Sequence, residues 1–205
     1  AFQGNRLENG QSSIHILKRD NSGVWATVSF SPQIYDAGYF EKVGFFDPFL
    51  AGTRVEDFSP DPILGSFRLF EVDESSITPN GINYASNGQS VENFGKSVAV
   101  YGDTIIVGAD SYVYVFELRG NSFEEIQRIY WLPFSFGNSV SLNDRFLAVG
   151  EPLGERVHIF EPTGDTEEPW VKTTILPKVS LDDLGFGYSV SLSDNVLLVG
   201  SEQER

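Results

Sequence analysis

Residues 94–109 read Phe-Gly-Lys-Ser-Val-Ala-Val-Tyr-Gly-Asp-Thr-Ile-Ile-Val-Gly-Ala, and the core of this pattern returns twice further along the chain. Each copy opens with Phe-Gly-x-Ser-Val, in which x is a different residue every time. Each copy also closes with a glycine 14 residues after its Phe. Three copies with one internal length indicate a structural repeat. Its fixed residues are Phe94, Gly95 and Gly108, then Phe136, Gly137 and Gly150, then Phe186, Gly187 and Gly200.

Two apolar runs flank a short polar break inside each copy. In the first copy the break is Gly102-Asp103, between the runs 97–101 and 104–107. Gly, Asp and Asn tolerate the left-handed backbone that tight hairpin turns require. The second run is continuously apolar, as is typical of a strand buried on both faces. Each copy is therefore predicted to begin with an antiparallel hairpin.

A third run with alternating apolar residues follows the hairpin, at 112–116 and again at 156–160. A weaker fourth run comes after it, and the N-terminal half repeats the third-run pattern at 66–72. The unit is thus four strands long and recurs after 42 residues, from Phe94 to Phe136. A four-stranded sheet with two apolar faces buries both only between similar sheets. The sequence predicts an all-β chain, a β-propeller of four-stranded antiparallel blades.

The repeat pattern gives about four blade equivalents in one propeller segment over residues 1–205. Its parts are a half blade at 1–30, a degenerate blade at 37–85, blades at 94–130 and 136–176, and a half blade at 186–205. The two half blades could combine and close a small ring, or the segment could belong to a larger propeller. We expect the larger propeller, because the chain has no Met and its repeat pattern starts and stops abruptly.

The sequence Phe-Gly-x-Ser-Val followed by Val-Gly-Ala, intact at 94–109, resembles the FG-GAP repeat, the blade unit of integrin α-subunit propellers. The resemblance implies a secreted or cell-surface adhesion or recognition module that is not an enzyme and that binds a protein partner. Many such blades carry an Asp-x-Asp-x-Asp-Gly calcium loop. Here each hairpin break offers one acid, so the resemblance is to the short-turn, calcium-free type. No metal and no cofactor is expected.

The net charge of the chain disfavours some classes of binding partner. The chain has 29 acidic and 14 basic residues, a formal net charge of −15, which disfavours nucleic acid and anionic membranes. No apolar run approaches the roughly 20 residues that a membrane-spanning helix needs, so membrane insertion is not expected. Six acids fall within 151–168, and this stretch is predicted to form a solvated, negative loop. Acidic residues on the ligand-binding face would favour a cationic patch on the partner.

The candidate catalytic residues are interpreted as structural. His15 and His158 fall in the same repeat position as Arg68 and Tyr114, which accepts any long amphipathic side chain. The serine of each Phe-Gly-x-Ser-Val copy opens a strand, and a backbone hydrogen bond fits it better than nucleophilic attack. No catalytic residue is assigned.

One aromatic residue is a possible ligand contact. Trp131 lies in the loop before Phe136, where an exposed ring could stack on a sugar or anchor a protein. A glycan-binding, lectin-like propeller is therefore one alternative function. The other is an accessory domain of an extracellular hydrolase.

Overall fold

The computed structural model describes residues 5–6, 12–13, 15–19, 21–29, 42–54, 65–72, 77–84, 93–132, 135–179 and 184–202. These residues form β-strands and one 3-10 turn, Pro152–Gly154. The strands are β1 (Asn5–Arg6), β2 (Ser12–Ser13), β3 (His15–Arg19), β4 (Trp25–Ser29), β5 (Lys42–Phe46), β6 (Phe49–Arg54), β7 (Ser66–Val72), β8 (Ile77–Tyr84), β9 (Ser97–Tyr101), β10 (Thr104–Gly108), β11 (Tyr112–Arg119), β12 (Ser122–Tyr130), β13 (Ser139–Leu142), β14 (Leu147–Glu151), β15 (Arg156–Pro162), β16 (Trp170–Pro177), β17 (Ser189–Ser193) and β18 (Val196–Gly200).

Three four-stranded antiparallel sheets make up the middle of the chain. They are β5–β8, β9–β12 and β13–β16, each a meander whose neighbouring strands are consecutive in sequence. The pairs β1–β2, β3–β4 and β17–β18 form two-stranded sheets. The predicted all-β fold built of four-stranded antiparallel blades is confirmed. Among the described strands, β3–β4 and β17–β18 lie in separate sheets.

The sheets stand side by side with their first strands innermost. Strand β9 contacts both β5 and β13, and β13 contacts β17. The four first strands therefore surround a common axis, while the fourth strands lie outermost, as in the blades of a propeller. The described sheets leave this ring open.

The hydrophobic core lies between the blades. One cluster joins Phe67 and Leu69 of the β5–β8 sheet to Phe94, Ile105 and other residues of the β9–β12 sheet. A second cluster combines Ile106 and Val115, on the other face of the β9–β12 sheet, with Phe136 and other residues of the β13–β16 sheet. Each interior blade thus buries both faces, which explains why its second strand is continuously apolar.

A repeated hydrogen bond joins the inner edges of neighbouring blades. The Ser97 hydroxyl donates to the carbonyl of Gly137 at 2.8 Å, and in the next blade Ser139 donates to Gly187 at 2.9 Å. Gly137 has φ +90°, a left-handed conformation that favours glycine. A side chain at Gly108 would collide with the Gly137 carbonyl. Phe-Gly, Ser and the closing glycine are therefore parts of one joint.

The strand connections divide between two ends of the blades. We call one end the crossover face, where second strands lead to third strands and each blade leads to the next. The other end is the hairpin face, which carries the turns between strands 1 and 2 and between strands 3 and 4. In the blades β9–β12 and β13–β16, the crossover face exposes Tyr130, Leu132 and Leu153. The hairpin-face turns of these two blades expose no large apolar side chain.

Candidate functional site

A pocket of about 340 Å³ lies on the axis at the crossover face. All four first strands contribute to it, through residues 42–43, 96–98, 138–140 and 188–190. They are the first residues of β5, β9, β13 and β17, together with the residue just before each of the last three strands. The pocket therefore lies where the blades meet, and concave surfaces between packed elements are where small ligand sites usually occur.

The variable residue of the Phe-Gly-x-Ser-Val motif lines this pocket. It is Lys96 in the first copy, Asn138 in the second and Tyr188 in the third. The following serines, Ser97 and Ser139, use their hydroxyl hydrogens in the joint between blades. Sequence reasoning missed this site, although the signal was available: a variable position inside an otherwise fixed motif.

The two charged residues among the described residues that line the pocket are both lysines. Lys96 Nζ donates to Asp110 Oδ1 at 2.7 Å, and the other oxygen of Asp110 accepts from Asn93 Nδ2 at 2.6 Å. Lys42, from the neighbouring blade, forms no ion pair with another described residue. Acidic residues were expected on the ligand-binding face, but none of the described residues that line this pocket is acidic, and Asp110, the partner of Lys96, is not among them.

A second polar cluster is sealed between two blades. His158 and Glu151 are both fully buried, and their Nε2 and Oε2 atoms are 2.5 Å apart. Arg156 Nε lies 3.4 Å from the same Glu151 oxygen. Glu151 was predicted to belong to a solvated acidic loop, and this prediction is wrong: Glu151 ends β14 and its side chain turns into the protein.

Burial sets the titration of His158. Desolvation lowers the pKa of His158 below its ordinary value of 6.5, and the charges of Lys172 and Arg156 lower it further. The hydrogen bond and the charge of Glu151 act in the opposite direction. A neutral His158 donates its Nε2–H to Glu151, which leaves Nδ1 as an acceptor. Within the part of the chain that the structure describes, Nδ1 and Glu151 Oε1 have no hydrogen-bond partner.

Trp131 closes this cluster instead of standing free on the surface. Its ring is 5.1 Å from the His158 ring in an edge-to-face contact, and Lys172 Nζ lies 3.2 Å from the indole centroid. Partial burial lowers the pKa of Lys172. The indole nitrogen is buried without a partner. A sugar could stack on the face under Lys172 only if that side chain moved away.

Of the two histidines, the structure describes the side chain of His158 alone. His158 pairs with Val149 across the sheet, as Tyr114 pairs with Val107 one blade earlier, so both occupy the same repeat position. Both rings pack edge-to-face on the Phe of their own motif, His158 on Phe136 at 5.1 Å and Tyr114 on Phe94 at 5.0 Å. His15 starts β3, and its side chain lies outside the described residues.

The other motif residues lie at equivalent places. Phe94 and Phe136 are fully buried, whereas Phe186 is partly exposed, because no third strand of its own sheet is described beside it. Gly95 and Gly187 both have φ +95°, and their amides donate to the closing glycines Gly108 and Gly200.

Two further findings concern metal binding and membrane crossing. Among the described residues, no three His, Asp or Glu side chains come together as a metal site would require. No helix within the described ranges is long and apolar enough to cross a membrane.

Four-stranded blades with a shared inner edge define a repeat protein of propeller architecture. A family model described as the FG-GAP repeat matches residues 84–115, from the end of β8 into β11. The chain thus contains an FG-GAP repeat, and the resemblance seen in the sequence is confirmed over this segment. No curated protein matches the chain.

Proposed function

We propose that this chain is a non-enzymatic recognition module that binds a protein partner through its crossover face. The observation that carries the proposal is the contrast between the two faces of the central blades. The crossover face exposes Tyr130, Leu132 and Leu153, whose exposed fractions are 52%, 57% and 76%. Apolar and aromatic side chains on rigidly held connections are the usual anchors of a protein interface.

Hydrogen bonds hold these anchors in place. Trp131 N–H donates to the Ser111 carbonyl, which fixes the segment between Tyr130 and Leu132. Leu153 N–H donates to Ser135 Oγ, so the 3-10 turn of one blade is tied to the connection leading into it. A surface that is ordered before binding loses less conformational entropy when the partner arrives.

A non-enzymatic role is supported by the position of the Glu151–His158 pair. This is the pair best suited to proton transfer, and both side chains are fully buried between blades, out of reach of a substrate. FG-GAP repeats are typical of extracellular and cell-surface modules, which supports adhesion or protein binding in a secreted or surface-attached protein.

Site-specific photo-crosslinking tests the proposal. A photoreactive amino acid is placed at Leu132 or Leu153 on the crossover face, and at Asn121 or Glu167 on the hairpin face as matched exposed controls. After exposure to surface and secreted proteins of the source organism, covalent adducts are identified by mass spectrometry. We expect one partner at both crossover positions and none at the controls. Leu132→Asp should abolish binding of that purified partner without changing the circular dichroism spectrum. Adducts at the hairpin face alone, or no adducts, would overturn the proposal.

A further inference from the structure

We infer that the axial pocket binds a carboxylate, supplied by an Asp or Glu side chain of the protein partner, through Lys42 and Lys96. The inference rests on the proposed recognition function and names the chemistry at its centre. It is carried by the pocket on the axis and by the charge of the side chains that line it.

The charge of the pocket runs against the charge of the chain. Acids outnumber bases 29 to 14 overall, yet both charged side chains among the described lining residues are lysines. Asp110 balances Lys96, so Lys42 supplies a net positive charge. An anion is therefore attracted to this point of an otherwise repulsive surface.

The pocket also offers more donors than acceptors. A lysine ammonium has three N–H donors, and one of those on Lys96 is directed to Asp110. Ser189 lines the pocket as well. The equivalent hydroxyls of Ser97 and Ser139 donate to the next blade, whereas the Ser189 hydroxyl makes no such bond among the described residues. A carboxylate, which only accepts, matches this set of donors.

Lys96 is held in position before any ligand binds. Its ion pair with Asp110 is 2.7 Å long, and Asn93 fixes the second oxygen of Asp110 at 2.6 Å. Lys42 reaches the pocket from a different blade. Lys42 and Lys96, from separate blades, line a pocket of about 340 Å³, a size that suits a single acidic side chain entering from the crossover face.

The test is an NMR titration of the 205-residue chain with N-acetyl-Gly-Glu-Gly-amide, compared with the same peptide carrying Gln. We expect shifts of the pocket valines, such as Val98 and Val140, with the Glu peptide and affinity about tenfold weaker with the Gln peptide, since one charged contact is lost. Lys42→Gln should weaken the Glu peptide by a similar factor, and Lys42→Arg should retain binding. Lys178→Gln, which removes an ammonium paired with Glu155 away from the pocket, is the control and should bind normally.

The inference is overturned if the Glu and Gln peptides bind alike, or if inorganic phosphate shifts the same valines while neither peptide does. Either result leaves the crosslinking at Leu132 and Leu153 unaffected, so recognition through the crossover face would stand without a carboxylate. Conversely, Glu-peptide binding without any crosslinked partner would keep the pocket and overturn the proposed function.

Discussion

Replacing the buried pair by its counterpart in the preceding blade should preserve stability, whereas replacing either member alone should not. Where one blade has Glu151 and His158, the preceding blade has Ala109 and Tyr114, both fully buried. The double variant Glu151→Ala/His158→Tyr therefore copies a combination that this fold already contains. Glu151→Ala instead pairs a small residue with His158, and His158→Tyr pairs Glu151 with a larger ring. Neither combination occurs in the preceding blade.

The expected magnitudes follow from the contacts of the pair. Glu151→Ala removes the 2.5 Å partner of His158 Nε2, and Nδ1 is already without one, so both ring nitrogens would be buried and unpaired. A buried polar group left without its partner costs about 1–3 kcal/mol. His158→Tyr removes the nearest donor of Glu151 Oε2 and leaves Arg156 Nε, 3.4 Å from the same oxygen, as its remaining partner, at a similar cost. Replacing such a pair by well-packed residues is often neutral or stabilising, so the double variant should lie within about 1 kcal/mol of the parent.

Urea unfolding followed by circular dichroism at pH 7.5 measures these free energies. The double-mutant cycle should give a coupling energy of about 1–3 kcal/mol. Each single variant should melt roughly 2–12 °C lower, as about 1–3 kcal/mol implies for a chain of this size. Glu117→Gln, which breaks an exposed pair with Arg119, is the control and should cost less than about 1 kcal/mol. Additive effects, or single variants as stable as the control, would refute the reasoning.

Three further outcomes are expected. Burial lowers the pKa of His158, so below pH 6.5 the unfolded chain binds more protons than the folded chain. The contribution of His158 to the free energy of unfolding should therefore be constant above pH 6.5 and fall below it. Urea titrations between about pH 8 and 5 should show this slope in the parent chain and its loss in the double variant. Gly108→Ala should cost more than Gly164→Ala in the same urea assay: Gly164 has φ +75°, so its replacement strains the backbone, but only the methyl added at Gly108 meets a neighbouring backbone. Gln127→Leu should cost about 1–3 kcal/mol and speed hydrogen exchange at the Trp170 amide, since the Gln side chain bonds both backbone groups of Trp170, at 2.8 and 2.9 Å; unchanged exchange would contradict this.

The blades could be predicted from the sequence because their signals are local. Alternating and continuous apolar runs report how many faces of a strand are buried, and the β9–β10 turn has Gly102 at φ +55° as turn chemistry requires. Each blade also has a register shift between its third and fourth strands at the same place, between Val115 and Phe116 in one and between Ile159 and Phe160 in the next. No sequence pattern indicated these shifts, since a β-bulge changes pairing and leaves apolar alternation almost intact.

The polar contacts between blades were beyond prediction because they join residues distant in sequence. Glu151 sits in an acid-rich stretch, and only the position of its strand end turns it toward His158. Trp131 was a possible ligand contact because it lies in the loop before Phe136, yet Lys172 of a strand 41 residues later covers the ring. A buried charged residue such as Glu151 can be recognised from the sequence only when its partner on the neighbouring strand is known.

The same five-residue motif supplies both the joint between blades and part of the lining of the axial pocket. Phe136 fills the space between blades, Gly137 accepts the hydrogen bond of the preceding serine, and Ser139 passes the same bond to the next blade. Asn138, between them, lines the axial pocket. Its side chain also donates to the Tyr188 carbonyl in the next copy at 3.0 Å, so Asn138 belongs to the joint as well as to the pocket. Lys96 and Tyr188 occupy the same position in the other copies, and the chemistry at the axis therefore varies from blade to blade while the Phe, Gly and Ser of the motif stay the same.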